Sequence, residues 1–265
     1  MIILDNKPLS DFNIIAVKGH TNLSSASFSE DTIDIPDKMG VYYVKSQNGI
    51  KQFRIPLIAI GDNNTDAQRI MRTFNDFFHD AYMQKRLVKM AFEYEAQKYY
   101  DVRLSKSVDA SRIFGIGEFD LIVTSHDGYS NNVSINTDVV WGSLEITFES
   151  EYQLDHTFIK DEQITAPITL ETSVDGYAIR PTFLINGSGD NVTFQANGKS
   201  FSLDNFSVSD WVIDGKKLTV TLNSANGYDK KTSGWIDLLP GQNELQITGE
   251  NMNFALTVEH RDKYL

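Results

Sequence analysis

The chain has 265 residues, 41% hydrophobic and 23% charged, the proportions of a globular protein of one large or two ordinary domains. With 24 basic against 36 acidic residues the formal net charge is -12, which excludes a nucleic-acid-binding surface as the main business. Cysteine is absent, which excludes disulfides, thiolate metal sites and cysteine nucleophiles; the longest apolar run, Ile55 to Ile60, is far short of a membrane span, and the start MIILDNKPLSD lacks the basic segment of a signal peptide.

In chain order, an early β region leads to the segment RIPLIAIG at 54–61. From Thr65 the apolar residues Ile70, Met71, Phe74, Phe77, Phe78 and Ala81 fall on one helical stripe, predicting a helix over Asp66 to Ala81 whose Phe-rich face packs on a sheet. Thr65 followed three residues later by Gln68 reads as a capping box, with Asp66 suited to the positive end of the dipole. Val88, Met90, Phe92 and Tyr94 then alternate with charged or small residues, and Tyr100, Val102 and Leu104 do the same, predicting a hairpin around Glu95 to Lys98. Leu144, Ile146 and Phe148 form another alternating segment within 143–149, and Leu218, Val220 and Leu222 a further one within 217–222.

Turn chemistry punctuates these strands. Asn-Gly occurs at Asn48, Asn186, Asn197 and Asn226, and Asp-Gly at Asp127, Asp175 and Asp214, pairs that tolerate the positive φ angles of tight hairpins. The polar, Pro167-containing segment DEQITAPITLETSVDG lacks sustained alternation and reads as a connector around 160–176. The fold expected is mainly β: an N-terminal β-sandwich with one helix and a β-hairpin over 1–165, and a C-terminal β-sandwich or jelly roll over 166–265. Residues 1–150 carry a net charge of -5 and residues 151–265 of -7, so neither part is basic.

Chemistry-bearing motifs are sparse. The histidines His20, His79, His126, His156 and His260 are scattered, with no second histidine at metal-ligand spacing. Asp62-Asn63-Asn64-Thr65-Asp66 begins like a calcium loop but has Ala67 where glycine is needed and Thr73 where the bidentate glutamate belongs, so a helix start explains it better. Gly115-Ile116-Gly117 lacks the third glycine of a dinucleotide fingerprint, and nucleophile-elbow, P-loop and HExxH patterns are absent. A pair of neighbouring carboxylates is the only hydrolase reading left, and it rests on the abundance of acids alone. The sequons at Asn191 and Asn205 read as chance in an Asn- and Ser-rich chain. Trp211, Tyr228 and Trp235 fall at or beside predicted loops of the second domain, where rings either plug packing seams or stack on the C–H faces of a sugar. No cofactor or metal is expected.

The order of motifs in the second half is familiar. RPTFLINGSGDNVTFQANGKSF, WVIDGKKLTVT, WIDLLPGQNELQITGEN and the closing MNFALTVEHRDKYL resemble the C-terminal half of the siphophage distal tail (Dit) family. The carriers are Ile213-Asp214-Gly215 and Leu238-Leu239-Pro240-Gly241-Gln242-Asn243-Glu244-Leu245. The first half fits as well, with RIPLIAIG, FNDFF on the helix and KMAFEYEAQKYYDVRLS ending in Tyr100 to Leu104. The resemblance implies a galectin-like second sandwich and a non-enzymatic hub at the distal end of a long non-contractile tail. It further implies a homo-hexameric ring that meets the major tail tube protein and the tail-associated tip protein, with a receptor-binding protein as a further partner. DNA would pass only in transit, so N-terminal carboxylates are expected to line the bore, where they repel phosphate. The alternative function is a carbohydrate-binding module that recognises a host cell-wall polysaccharide through Trp211, Tyr228 or Trp235.

Overall fold

The structure is a computed structural model that describes residues 2–17, 19, 26–106, 110–113, 115–138, 157–232 and 234–265. His20, His156 and the alternating segment 143–149 lie outside the described residues. The chain divides into two compact units, one spanning Met1–Asn131 with Leu265 and the other Asn132–Tyr264.

The first unit is a curled antiparallel sheet closed by a helix. Its strands run in the order Lys7–Pro8, Ile2–Leu4, Val88–Phe92, Lys98–Leu104, Ile116–Ser125, Lys51–Ile60, Ile14–Ala16, with Ala110–Ile113 folded back on Ile116–Ser125. Lys51–Ile60 and Ile116–Ser125 pair along ten residues each, from Lys51 opposite Ser125 to Ile60 opposite Ile116. Alternate residues of Lys51–Ile60 point inward, so Phe53, Ile55, Leu57 and Ala59 are buried with Phe119, Leu121 and Val123 of the partner strand. The hairpin of Val88–Phe92 and Lys98–Leu104 forms as the alternation indicates, joined through a short 3-10 turn at Glu93–Glu95.

The helix spans Asn64–Phe77, shifted from the expected Asp66 to Ala81. Asn63, not Thr65, is its N-cap: the Asn63 Oδ1 accepts from the backbone N–H of Thr65 and Asp66, both at 3.0 Å. Asp66 reaches back one residue further and accepts from the Asp62 N–H at 3.2 Å. An amide oxygen one residue before the helix reaches two orphan donors at once, a geometry that Thr65, already inside the first turn, lacks. Of the expected stripe Ile70, Met71 and Phe74 are buried on the helix, joined by Ala67, and Phe78 is buried just past its end, whereas Phe77 is half-buried and Ala81 is exposed beyond it; Phe74 meets Phe12, Phe78 and Phe119 ring to ring. Gly117 lies under the helix, where a Cβ would stand 2.7 Å from the Met71 Sδ and push that side chain aside.

The second unit is a sandwich made by bending two very long strands. Gly241–Glu259 and Thr182–Ala196 run antiparallel, and their register shifts at Ser188–Asp190 and again before Thr193. On one side of that bend Ile168–Val174 pairs with the first part of Gly241–Glu259 and Lys199–Leu203 with the last part of Thr182–Ala196. Beyond it, Glu162–Ile164 and Phe206–Asp214 take the outer positions, followed by Thr219–Leu222 and Ala225–Asn226. The same two strands therefore serve both layers, with bulges making the corner. Gly187 sits at it with φ 141°, where a Cβ would stand 2.3 Å from the Asn253 carbonyl oxygen. Between the layers lies one core that includes Phe183, Phe194, Phe201, Phe206, Trp211 and Phe254.

The segment expected as a connector is built into this sandwich. Both Glu162–Ile164 and Ile168–Val174 pair with Gly241–Glu259, while Pro167, which has no N–H to give a ladder, falls between them.

Candidate functional site

Three surfaces stand out among the described residues, and the first is a two-stranded ribbon in the first unit. Phe28–Asp34 pairs with Val41–Asn48, Asp34 opposite Val41 and Phe28 opposite Asn48, with a bulge near Asp31 and Thr32. Every residue of both strands is exposed. Yet Phe28, Ile33, Ile35, Met39, Val41, Tyr42, Tyr43 and Val44 are all large and apolar, between 41% and fully exposed. Local forces shape the ribbon: Pro36-Asp37 and Gly40 turn it, with positive φ at Asp37 and Gly40, and Lys45 pairs with Asp31 at 3.5 Å. A two-stranded ribbon with no core is marginal by itself, and its outer edges present open backbone donors and acceptors. Apolar residues on such a ribbon mark an interaction surface.

A second surface is the loop that follows the helix. Asp80 pins it by accepting from the N–H groups of Tyr82 and Gln84 at 2.8 and 2.9 Å, and Arg103 donates to the Lys85 carbonyl. Arg86 pairs with Asp5 and lies over the Phe77 ring. On this fixed frame Tyr82 and Met83 are each 84% exposed, and Met83 takes a left-handed φ of 60°.

The third surface holds the aromatic residues singled out in the sequence. Trp211 is 2% exposed and packs edge-on to Phe206 in the core, which removes it from any surface platform. Tyr228 is exposed on a short 3-10 turn and Trp235 is half-buried, their ring centroids 6.5 Å apart at 41°. Lys231 lies beneath Trp235, its Nζ 4.3 Å from that ring and 4.8 Å from Phe201, and donates to the carbonyls of Thr232 and Gly234. Burial lowers the pKa of this ammonium. The structure thus brings Tyr228 and Trp235 together and sets Trp211 apart.

Other titratable groups read as structural. His79 Nδ1 bonds the Asn75 carbonyl at 2.9 Å, and His260 is buried beside Asp262. Burial raises the pKa of Glu259, as does Asp138, while Arg261 and Lys160 pull it back. Among the described residues no group of three His, Asp or Glu side chains is placed to hold a metal ion, and no helix is long and apolar enough to cross a membrane.

The ribbon and the pinned loop escaped the sequence reading. Pro36-Asp37-Lys38-Met39-Gly40 between two β-prone stretches was the available signal for the first; a tyrosine and a methionine beyond the end of an amphipathic stripe was the signal for the second.

Comparison with known proteins agrees with the architecture. A family model described as phage tail protein RIFT-related domain matches residues 7–124. The crystal structure of the Dit protein of phage SPP1, described as a paradigm of the hub adsorption apparatus in phages infecting Gram-positive bacteria, superposes with a TM-score of 0.71 at 16% identity. That match covers 100% of this chain and 98% of the other. A chain of the phage p2 baseplate in its activated conformation with strontium gives a TM-score of 0.42 at 13% identity, over 97% of this chain and 93% of that one. No curated protein matches the sequence. Residues 7–124 thus match the phage tail protein RIFT-related domain model, and the chain as a whole shares the fold of the SPP1 Dit protein.

Proposed function

We propose that this chain is a non-enzymatic structural hub at the distal end of a long non-contractile phage tail, where six copies close into a ring between the tail tube and the tail-tip proteins. The observation that carries the reading is the ribbon Phe28–Asn48: a solitary molecule gains nothing from eight large apolar side chains on a two-stranded projection. A projection that fits a different surface of the next copy makes a head-to-tail contact, and such contacts close into rings when the rotation allows. The fold shared with the SPP1 hub protein supports the same reading. The tail tube protein and the tip protein are the partners this implies, a receptor-binding protein a further one, and the virion tail the location. DNA would cross the ring in transit, through a bore whose carboxylates offer it no counterion-release gain. The test is electron microscopy of the chain mixed with tail tubes. Rings capping one tube end, with an acidic bore, support the reading; no capping, or a basic bore, goes against it.

A second reading assigns sugar binding to the second unit through Tyr228 and Trp235, whose adjacency is the specific observation in its favour. Titration with host cell-wall polysaccharide, followed by tryptophan fluorescence, decides it. A saturable change lost in Tyr228→Ala supports the site, and no change at saturating polymer removes it.

A further inference from the structure

Two apolar surfaces of the first unit, the ribbon and the loop after the helix, differ in charge, and that difference pairs them. The ribbon 28–48 holds Glu30, Asp31, Asp34 and Asp37 against Lys38 and Lys45, a net of -2. The loop 80–89 holds Lys85, Arg86 and Lys89 against Asp80, a net of +2 in a chain whose net charge is -12. Its tip displays Tyr82, Met83 and, at 50% exposure, Leu87. Arg86 is neutralised by Asp5 within the unit, which leaves Lys85 and Lys89 as the outward charges beside the apolar tip.

This loop is built rather than loose. Asp80 accepts two backbone N–H groups, the Arg86 N–H returns to the Phe78 carbonyl, the Lys85 Nζ reaches the Ser105 carbonyl, and Arg103 holds the Lys85 carbonyl. These ties hold the loop while leaving two large side chains in solvent, Met83 among them on a left-handed backbone. A tyrosine and a methionine held out in this manner are adaptable anchors for a partner.

We infer that the ribbon of one copy docks on the Tyr82–Lys89 loop of the next, apolar tip against apolar ribbon and Lys85 and Lys89 against the ribbon's carboxylates. The inference rests on the self-assembly proposed above and adds the acceptor surface to it. Opposite net charge favours this pairing over ribbon against ribbon, where like charges would meet. The outward sheet face around Ile15, Ile60 and Ile116 is a rival acceptor, but Arg54, Glu118 and Asp120 give it a net of -1, the same sign as the ribbon.

The absence of cysteine makes the test clean, since introduced thiols are the only ones present. Full-length chains carrying Tyr43→Cys and Met83→Cys together are oxidised and run without reductant, alongside each single variant, a mixture of the two, and a Tyr43→Cys/Ile60→Cys control. The inference expects a ladder of covalent multimers from the double variant, dimers and nothing larger from the mixture, and monomers from either single variant alone. Monomers from the double variant, or a ladder from the Ile60 control in its place, overturn the assigned acceptor. Sedimentation of the untreated chain separates the two claims: multimers without the Met83 cross-link sink the acceptor and leave self-assembly standing, whereas monomers at every concentration sink both. As a check on charge, Lys85→Glu/Lys89→Glu should raise the concentration for half-assembly about tenfold or more, and Glu30→Lys/Asp34→Lys in the same chain should restore it. Failure of the swap to restore assembly counts against the pairing.

Discussion

The Lys51 ammonium donates to the Tyr100 hydroxyl across 3.0 Å inside the first core, with the Lys51 side chain essentially inaccessible. Phe53 and the Tyr100 ring flank it, and Tyr100 is bonded in turn by Ser130. Burial lowers the lysine's pKa from its ordinary 10.5, against the opposing pull of Glu95. This residue begins the strand that leaves the exposed ribbon, so a charged group is buried at the ribbon's root.

Replacing that charge is expected to stabilise the protein. A lysine whose folded pKa is depressed contributes stability above its unfolded pKa and loses it as pH falls through the folded value, so the burden is greatest near neutrality. Lys51→Met should raise unfolding free energy by about 1 kcal/mol at pH 7, with the gain shrinking as pH approaches 10.5. Urea titrations across pH 7 to 10 measure it, and a loss of stability at pH 7 would show that the Tyr100 bond outweighs the desolvation.

The ribbon should be dispensable for folding and required for assembly. Shortening 30–46 to a Gly-Ser turn removes only exposed side chains, so unfolding free energy should change by no more than about 0.5 kcal/mol. Light scattering of the same variant should give a monomer mass. A large loss of stability would mean that the ribbon packs on its own unit.

The helix face is the opposite case. Phe74 is fully buried among Phe12, Phe78 and Phe119. Phe74→Ala should cost about 3–5 kcal/mol, measured by chemical denaturation, whereas Arg72→Ala on the exposed side should cost about 0.5 kcal/mol or less.

In the second unit, Asp237 gathers Arg180 at 2.7 Å and Lys199 on its two oxygens. Burial alone would raise the Asp237 pKa, but the hydrogen bonds from Lys199 and Arg180 outweigh it and hold it below the ordinary 3.8. A depressed carboxyl contributes stability above the unfolded pKa and loses it as pH falls through the folded one. Asp237→Asn should therefore cost about 1 kcal/mol at pH 7, because the cluster is partly exposed. The gap to the parent chain should close below pH 3.8, as followed by thermal melts.

What could be read from the sequence divides along physical lines. The Phe74 stripe and the alternation of Lys98–Leu104 were legible because a buried face imposes its period on the residues. Turn pairs were less faithful. Asn197-Gly198 makes the tight turn that its type favours, with φ of 51° and 72°, but Asn186-Gly187 lies inside a long strand at the corner bulge. The turn between Thr219–Leu222 and Ala225–Asn226 uses Asn223 and Ser224, with no glycine. Local preference permits a positive φ; strand length and register decide where it is spent. Trp211 looked like a loop residue and is core, because Phe206–Asp214 alternates toward the sandwich interior. The ribbon lacked any core to leave a period in its sequence, and the loop of Tyr82 and Met83 continued a helical pattern that the Asp80 turn ends.

The most direct measurement is the mass of the purified chain in solution, by multi-angle light scattering over a range of concentrations. The account predicts a species of six times 29.9 kDa that falls to a single copy when 30–46 is shortened. A parent chain that stays at 29.9 kDa at every concentration, alone and with tail tube protein, would contradict it.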